Sequence, residues 1–211
     1  MKKYSAVIFD LDGVICFTDK YHYLAWKSVA DELGIPFDEK INDRLRGVSR
    51  MESLEIIMEK SEKTYSREEK EAIAEKKNNI YREYLQTMTE ADLPEDVNET
   101  LKELKKSGVL LAIGSSSKNA KTILERLGLG SFFDAVSDGT NISKSKPDPE
   151  VFLKAAQFLN EKPENCLVVE DAASGIEAAA AGGFDSAGLG EAAKSEKCTY
   201  PMETIRDLLK I

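Results

Sequence analysis

Two acids follow the first apolar run of the chain. In Phe9-Asp10-Leu11-Asp12-Gly13-Val14 they stand two residues apart, and Gly13 lets the backbone turn sharply. Acids so placed cap turns readily, and they also suit a division of labour. One carboxylate attacks an electrophile such as phosphorus, provided a cation offsets the repulsion between anions. The other gives and takes a proton at the leaving oxygen. Three further segments could supply the partners. Val109–Ile113 leads into Gly114-Ser115-Ser116-Ser117-Lys118-Asn119, small donors that open a helix and either cap it or receive a phosphate. Lys146 lies in Lys144-Ser145-Lys146-Pro147-Asp148-Pro149, where two prolines stiffen the approach to the next helix. An ammonium fixed there can pair with phosphate and with Asp10, although a surface lysine is the commoner use. Cys166–Val169 ends in Glu170-Asp171, acids that with Asp10 would give the oxygen-rich shell that magnesium requires.

The elements that must position these groups alternate. Ser5–Phe9, Val109–Ile113, Ala135–Val136 and Cys166–Val169 read as buried strands, with a weaker one at Ser186–Leu189. Helices are expected over Val97–Ser107, Asn119–Leu127, Pro149–Leu159 and Ser174–Ala181, with Gly108 and Gly128 as stop residues after two of them. This alternation predicts an α/β fold, a Rossmann-like parallel sheet with helices on both faces and its ligands at the carboxyl ends of the strands. Residues 17–90 break the rhythm with consecutive helices at Tyr21–Leu33, Arg50–Lys60 and Ser66–Met88, two of them opened by capping boxes, Ser49 with Glu52 and Ser66 with Glu69. They predict an inserted all-helical cap domain at 17–90 in a core domain made of 1–16 and 91–211.

Each of these three helices carries a polar residue on its apolar stripe. At 100° per residue, His22 aligns with Trp26, Val29 and Leu33; Arg50 with Leu54 and Ile57; and Lys77 with Ile73, Ile80, Tyr81, Tyr84 and Met88. Polar groups on a buried face need partners. Long basic stems can snorkel and a histidine can simply pack, but three such residues together favour an anionic substrate. Ser53 shares the Arg50 face.

Composition narrows the field. The 211 residues are 42% hydrophobic and 32% charged, with a net charge of -9, which disfavours nucleic acid and anionic membrane as partners. Three cysteines without a paired spacing suit a reducing compartment. The opening Met1-Lys2-Lys3-Tyr4 has no signal-peptide core behind it, and no apolar run approaches a membrane span, so the cytoplasm is expected.

The Asp10-Leu11-Asp12-Gly13-Val14 box, Ser115 after the next apolar strand, Lys146 before Pro147, and Glu170-Asp171 followed by Gly175-Ile176 resemble the four ordered motifs of the haloacid dehalogenase superfamily, and they span nearly the whole chain. The resemblance implies Asp10 as a transiently phosphorylated nucleophile, Asp12 as general acid and base, and Ser115 and Lys146 as phosphate and charge stabilisers. It also implies Mg2+ held by Asp10, Glu170 and Asp171 and by the Asp12 backbone carbonyl. Within that superfamily, Thr18 with His22, Trp26 and Lys27, Arg46-Gly47-Val48-Ser49-Arg50 with Ser53, Lys77-Asn78 and Ser115-Ser116-Ser117-Lys118-Asn119 are similar to the beta-phosphoglucomutase family, which interconverts beta-glucose 1-phosphate and glucose 6-phosphate. This implies a monomer acting on a small phosphorylated sugar and its bisphosphate. Thr18 and His22 would then tune the acid/base aspartate, and Arg46 to Arg50, Ser53, Lys77, Ser116, Ser117 and Asn119 would hold the substrate. Cys16-Phe17 departs from the smaller or polar residues usual there, Pro94-Glu95-Asp96-Val97 lacks the glycine common after that proline, and the polar segment after Gly190 predicts no added strand. Two rivals remain open: a phosphatase with the same nucleophile and water as acceptor, and a non-catalytic module that keeps the phosphate pocket.

Overall fold

The computed structural model describes residues 3–45 and 48–211; Arg46 and Gly47 of the expected site lie outside the described residues. The chain divides into two compact units, Met1–Phe17 with Met88–Ile211, and Thr18–Thr87.

The first unit is built on six strands: β1 (Ala6–Phe9), β2 (Leu110–Gly114), β3 (Ala135–Ser137), β4 (Cys166–Glu170), β5 (Asp185–Gly188) and β6 (Tyr200–Pro201). They form one parallel sheet in the order β3-β2-β1-β4-β5-β6. Every residue of β1 and β4 is buried, because helices cover both faces and the strands read as unbroken apolar runs. On one face Ile8, Ala112 and Val168 meet Val151, Phe152 and Ala155 of α7 (Glu150–Phe158) and Ala178 and Ala179 of α8 (Ala173–Ala181). Around the same sheet α5 (Glu95–Lys106) buries Val97, Leu101 and Leu104, and α6 (Ala120–Arg126) follows β2. The strand order reverses between β1 and β4, where open parallel sheets leave their crevice. Phe9 pairs with Ile113 on one side and Val169 on the other, so the residues after these three lie along one edge.

One expectation is corrected here. The segment after Gly190 does contribute a strand, the two-residue β6, joined to β5 by the Thr199 and Met202 amides. Its anchor is a polar knot. The Tyr200 hydroxyl lies 3.1 Å from that of Tyr4, which donates to Asp185 at 2.5 Å, and Lys3 reaches both Asp185 and Tyr200. A strand held by side-chain hydrogen bonds carries no period-2 apolar pattern to read.

The second unit contains α1 (Asp19–Leu33), α2 (Glu39–Asp43), α3 (Arg50–Met58) and α4 (Arg67–Leu85). Its core gathers Trp26, Ala30, Ile35, Phe37, Leu54, Ile57 and Ala74. Both capping boxes form, on Ser49 with Glu52 and on Ser66 with Glu69, and Gly34 closes α1 at a φ of 69°. The short α2, opened by the Asp38 carboxylate accepting from the Ile41 amide, was not expected from the sequence. Among the described residues no helix is long and apolar enough to cross a membrane.

Candidate active site

Asp10 sits one residue past β1, 8% exposed, its amide donating to Val169 at 2.9 Å. Glu170 and Asp171 leave the neighbouring β4, and the oxygens of Asp10, Glu170 and Asp171 come within 4.8 Å of one another. Two glycines make this convergence possible. At Gly13, whose φ is +90°, a Cβ would collide with the Asp171 carboxylate. At Gly175, in the first turn of α8, it would collide with that of Glu170. Only hydrogen fits in those places. Three carboxylates with no nitrogen or sulfur donor among them suit a hard divalent cation, so the donor set fits the metal the sequence implies. Asp12 is half-buried on the turn that follows, bridged to Cys16 through the backbone, and its side chain is outside that triad.

Lys146 enters the cluster from the other side. It is 8% exposed, and its ammonium bridges Asp10 and Glu170, the latter at 2.5 Å. The Phe152 ring lies beneath it, with Nζ 4.7 Å from the centroid. Burial alone would pull the lysine down; the two carboxylates outweigh it and hold the ammonium above the ordinary lysine range. Burial, with the Asp10 charge, holds the Glu170 carboxyl above the ordinary carboxylate range, and Lys146 and the Ala172 amide pull it only part of the way back; the Asp171 and Ala172 amides both donate to Oε2 at 3.0 Å. The Lys146–Pro147 peptide is cis.

At the end of β2, Ser115 is 2% exposed, and its Oγ accepts from the Ser117 amide at 3.1 Å. That leaves the hydroxyl proton to donate outward. Its amide is spent on the Ser137 carbonyl of β3, and Gly139 donates to Ser117, so the edge strand fixes this loop. Ser117 Oγ accepts from the Asn119 amide, a local turn of the kind that precedes a helix. Ser116 is half-buried beside them.

In the helical unit the sequence-predicted residues gather differently. Lys77 is 3% exposed, and its ammonium lies 2.7 Å from Nδ1 of His22 and 5.0 and 4.7 Å from the ring centroids of Trp26 and Tyr81. His22 stacks on Tyr81 with centroids 4.0 Å apart. An ammonium has only donors, so Nδ1 accepts and the ring proton sits on Nε2. Burial, then Lys77 and Arg50, keep the imidazole well below the ordinary histidine range. Thr18 is fully buried and accepts from the Tyr81 hydroxyl at 3.1 Å. Ser53 is 4% exposed. Arg50 is part-exposed and faces Glu75 at 3.4 Å, Ser49 is occupied as a helix cap, and Val48 is exposed.

The model of the haloacid dehalogenase-like hydrolases matches residues 4–183. The chain belongs to that family. This haloacid dehalogenase-like chain is 43% identical to a beta-phosphoglucomutase of Bacillus subtilis over 188 residues, 88% of this chain and 83% of the relative. It is 35% identical to a phosphorylated carbohydrates phosphatase of Thermotoga maritima, over 85% and 82% of the two. The crystal structure of a beta-phosphoglucomutase from Clostridium difficile superposes with a TM-score of 0.89 at 39% identity, covering 97% of this haloacid dehalogenase-like chain and 93% of that one.

Sequence reasoning missed Phe152 under the Lys146 ammonium and Glu75 beside Arg50, and gave Gly175 no steric role. Gly175 was visible as part of a motif, but its steric role needs the Glu170 rotamer. Glu150 follows the Lys146 segment directly, and an acid at a helix start reads as an ordinary cap until its partners are seen.

Proposed function

We propose that the chain is a magnesium-dependent phosphomutase that interconverts beta-D-glucose 1-phosphate and beta-D-glucose 6-phosphate through an aspartyl phosphate and a sugar 1,6-bisphosphate. The single observation that carries this reading is the Lys146 ammonium seated between Asp10 and Glu170 at the reversal of strand order. It lets a buried carboxylate face a phosphate dianion without prohibitive repulsion.

Asp10 attacks phosphorus and carries the phosphoryl group. Asp12 takes the proton from the acceptor hydroxyl as the group moves on, and returns one to the leaving oxygen in the reverse step. The Ser115 hydroxyl and Lys146 hold the equatorial oxygens, with Ser116, Ser117 and Asn119 completing the loop around them. Asp10, Glu170 and Asp171, with the Asp12 carbonyl, would hold Mg2+, which neutralises charge on the transferring group when bound. Arg50 and Lys77 recognise the substrate's second phosphate, with Ser53 beside them. Thr18, His22 and Trp26 keep that end in order, and Arg46 to Ser49 join them in substrate recognition. Positioning and charge neutralisation supply most of the acceleration. The three cysteines are free thiols, which suits action in the cytoplasm.

A second reading has support of its own in the similarity to the Thermotoga phosphatase. There, water would replace the sugar hydroxyl. Phosphorus NMR on beta-glucose 1-phosphate, magnesium and a trace of sugar bisphosphate separates the two. A growing glucose 6-phosphate resonance that depends on bisphosphate is expected; inorganic phosphate alone would leave the phosphatase.

A further inference from the structure

The cation at the centre of the site hangs on a flexible four-carbon stem, so something must fix where that stem begins. Glu150, in the first turn of α7, has the geometry to do this. Its Oε2 accepts from the Ser143 amide, the Ser143 hydroxyl and the Lys144 amide, each at 2.8 Å. Its Oε1 pairs with Lys154 at 2.9 Å, and Lys154 also donates to the Asn141 carbonyl. Next to it, Asp148 accepts from the Glu150 amide at 3.0 Å and donates its own amide to the Ser145 carbonyl at 3.1 Å. The helix beneath is rigidly seated, with Val151, Phe152 and Ala155 fully buried against the sheet.

We infer that Glu150 is a positioning residue for Lys146, tying Ser143 and Lys144 onto α7 so that the ammonium arrives between Asp10 and Glu170. The same helix therefore holds Lys146 twice, through the Phe152 ring under Nζ and through Glu150 at the approach to the stem. Lys154 and the Ser143 and Lys144 donors keep the Glu150 carboxyl at about 2, so the clamp stays ionised across the neutral range. A lysine loosened by even 1 Å would serve the reacting phosphate poorly.

The inference rests on the reading of Lys146 as the charge partner of the transferring group, but not on which acceptor receives that group. Trace acetylation of the folded protein with acetic anhydride, read by peptide mass spectrometry, reports Lys146 directly against exposed Lys106. Steady-state kinetics report the chemistry. Glu150→Ala is expected to raise Lys146 labelling about 5-fold or more relative to Lys106. It should lower kcat by about 10- to 100-fold, the scale of loss for a misplaced group, with KM within about 2-fold. Glu150→Gln retains an amide oxygen for Ser143 and Lys144 and should bring both readouts most of the way back. Should Glu150→Ala fail to fold, Glu150→Asp, which withdraws the acceptor by one methylene, carries the same comparison. Unchanged Lys146 labelling in the folded variant overturns the inference whatever the activity does. Raised labelling at full kcat supports the positioning role and overturns instead the assignment of Lys146 to the reaction.

Discussion

At the scale of single residues, the site is a balance of buried charge. Asp10, Glu170 and Lys146 are all nearly excluded from water, and removing one partner of such a set leaves the others uncompensated. Lys146→Met should therefore cost about 3–5 kcal/mol at pH 8. The sign with pH follows. Without the ammonium, Glu170, pushed up by burial and by its neighbour Asp10, titrates higher in the folded state than in the unfolded chain. Folding then takes up protons, and the deficit shrinks as pH falls toward 5. Urea unfolding of wild type and variant at both pH values measures this; equal deficits would mean that the lysine is not neutralising those acids. A second prediction concerns Gly13. It shares a positive φ with Gly34, and alanine at either place pays the cost of left-handed backbone. Only at Gly13 does the new methyl group also strike Asp171, whereas nothing lies within 4 Å of the position at Gly34. Gly13→Ala is expected to raise the magnesium concentration for half-maximal activity by about 10-fold or more, the range seen when metal ligands lose their orientation. Gly34→Ala should lose stability alone. Magnesium titration of activity in the two variants separates strain from ligand displacement.

At the scale of elements, the contact between α1 and α4 turns on which proton His22 carries. Its Nδ1 accepts from the Lys77 ammonium at 2.7 Å, so protonating the ring would set donor against donor. A histidine lowered in the fold contributes its full stability above the ordinary value near 6.5 and loses it as pH drops below. Between pH 7.5 and 5.5 that loss is about 1.4 kcal/mol, one pKa unit's worth. His22→Asn keeps an acceptor for Lys77 and cannot titrate, so the drop should vanish; denaturant unfolding of α4 across this range gives the answer. The pairing also shows what a sequence discloses. Stripe alignment put His22 and Lys77 on apolar faces, because the helix period is a local property, and the resemblance to the four superfamily motifs implied that Asp10, Lys146, Glu170 and Asp171 share one site. What stayed hidden was set by tertiary partners. α2 is a single turn with no buried residue, β6 is held by the Tyr4–Asp185–Tyr200 knot, and Glu150 looks like a cap until Ser143 and Lys144 are seen to share its oxygen. Ser49 was expected both to cap α3 and to meet substrate; its Oγ accepts from the Glu52 amide as the capping box requires, which leaves the hydroxyl proton to donate.

At the scale of the whole molecule, the two units have separate apolar cores, and the carboxylate triad belongs to only one of them. A cation that binds the folded triad and not the unfolded chain stabilises by mass action, by about 2.7 kcal/mol at one hundred times its dissociation constant. In a chain of this size that corresponds to a rise in Tm of roughly 5–10 °C. Because the chain carries a net charge of -9, any cation relieves some self-repulsion, and the comparison must be made against potassium chloride at equal ionic strength. Hydrogen exchange adds the location. Opening is local in folded proteins, so magnesium should slow exchange over the ends of β1 and β4 and the first turn of α8, and leave α4 as it was. Asp171→Asn should abolish both the excess Tm shift and the added protection, while His22→Asn should leave them intact. Protection gained equally along α4, or a shift that matched potassium at the same ionic strength, would mean that charge screening and not the triad accounts for the effect.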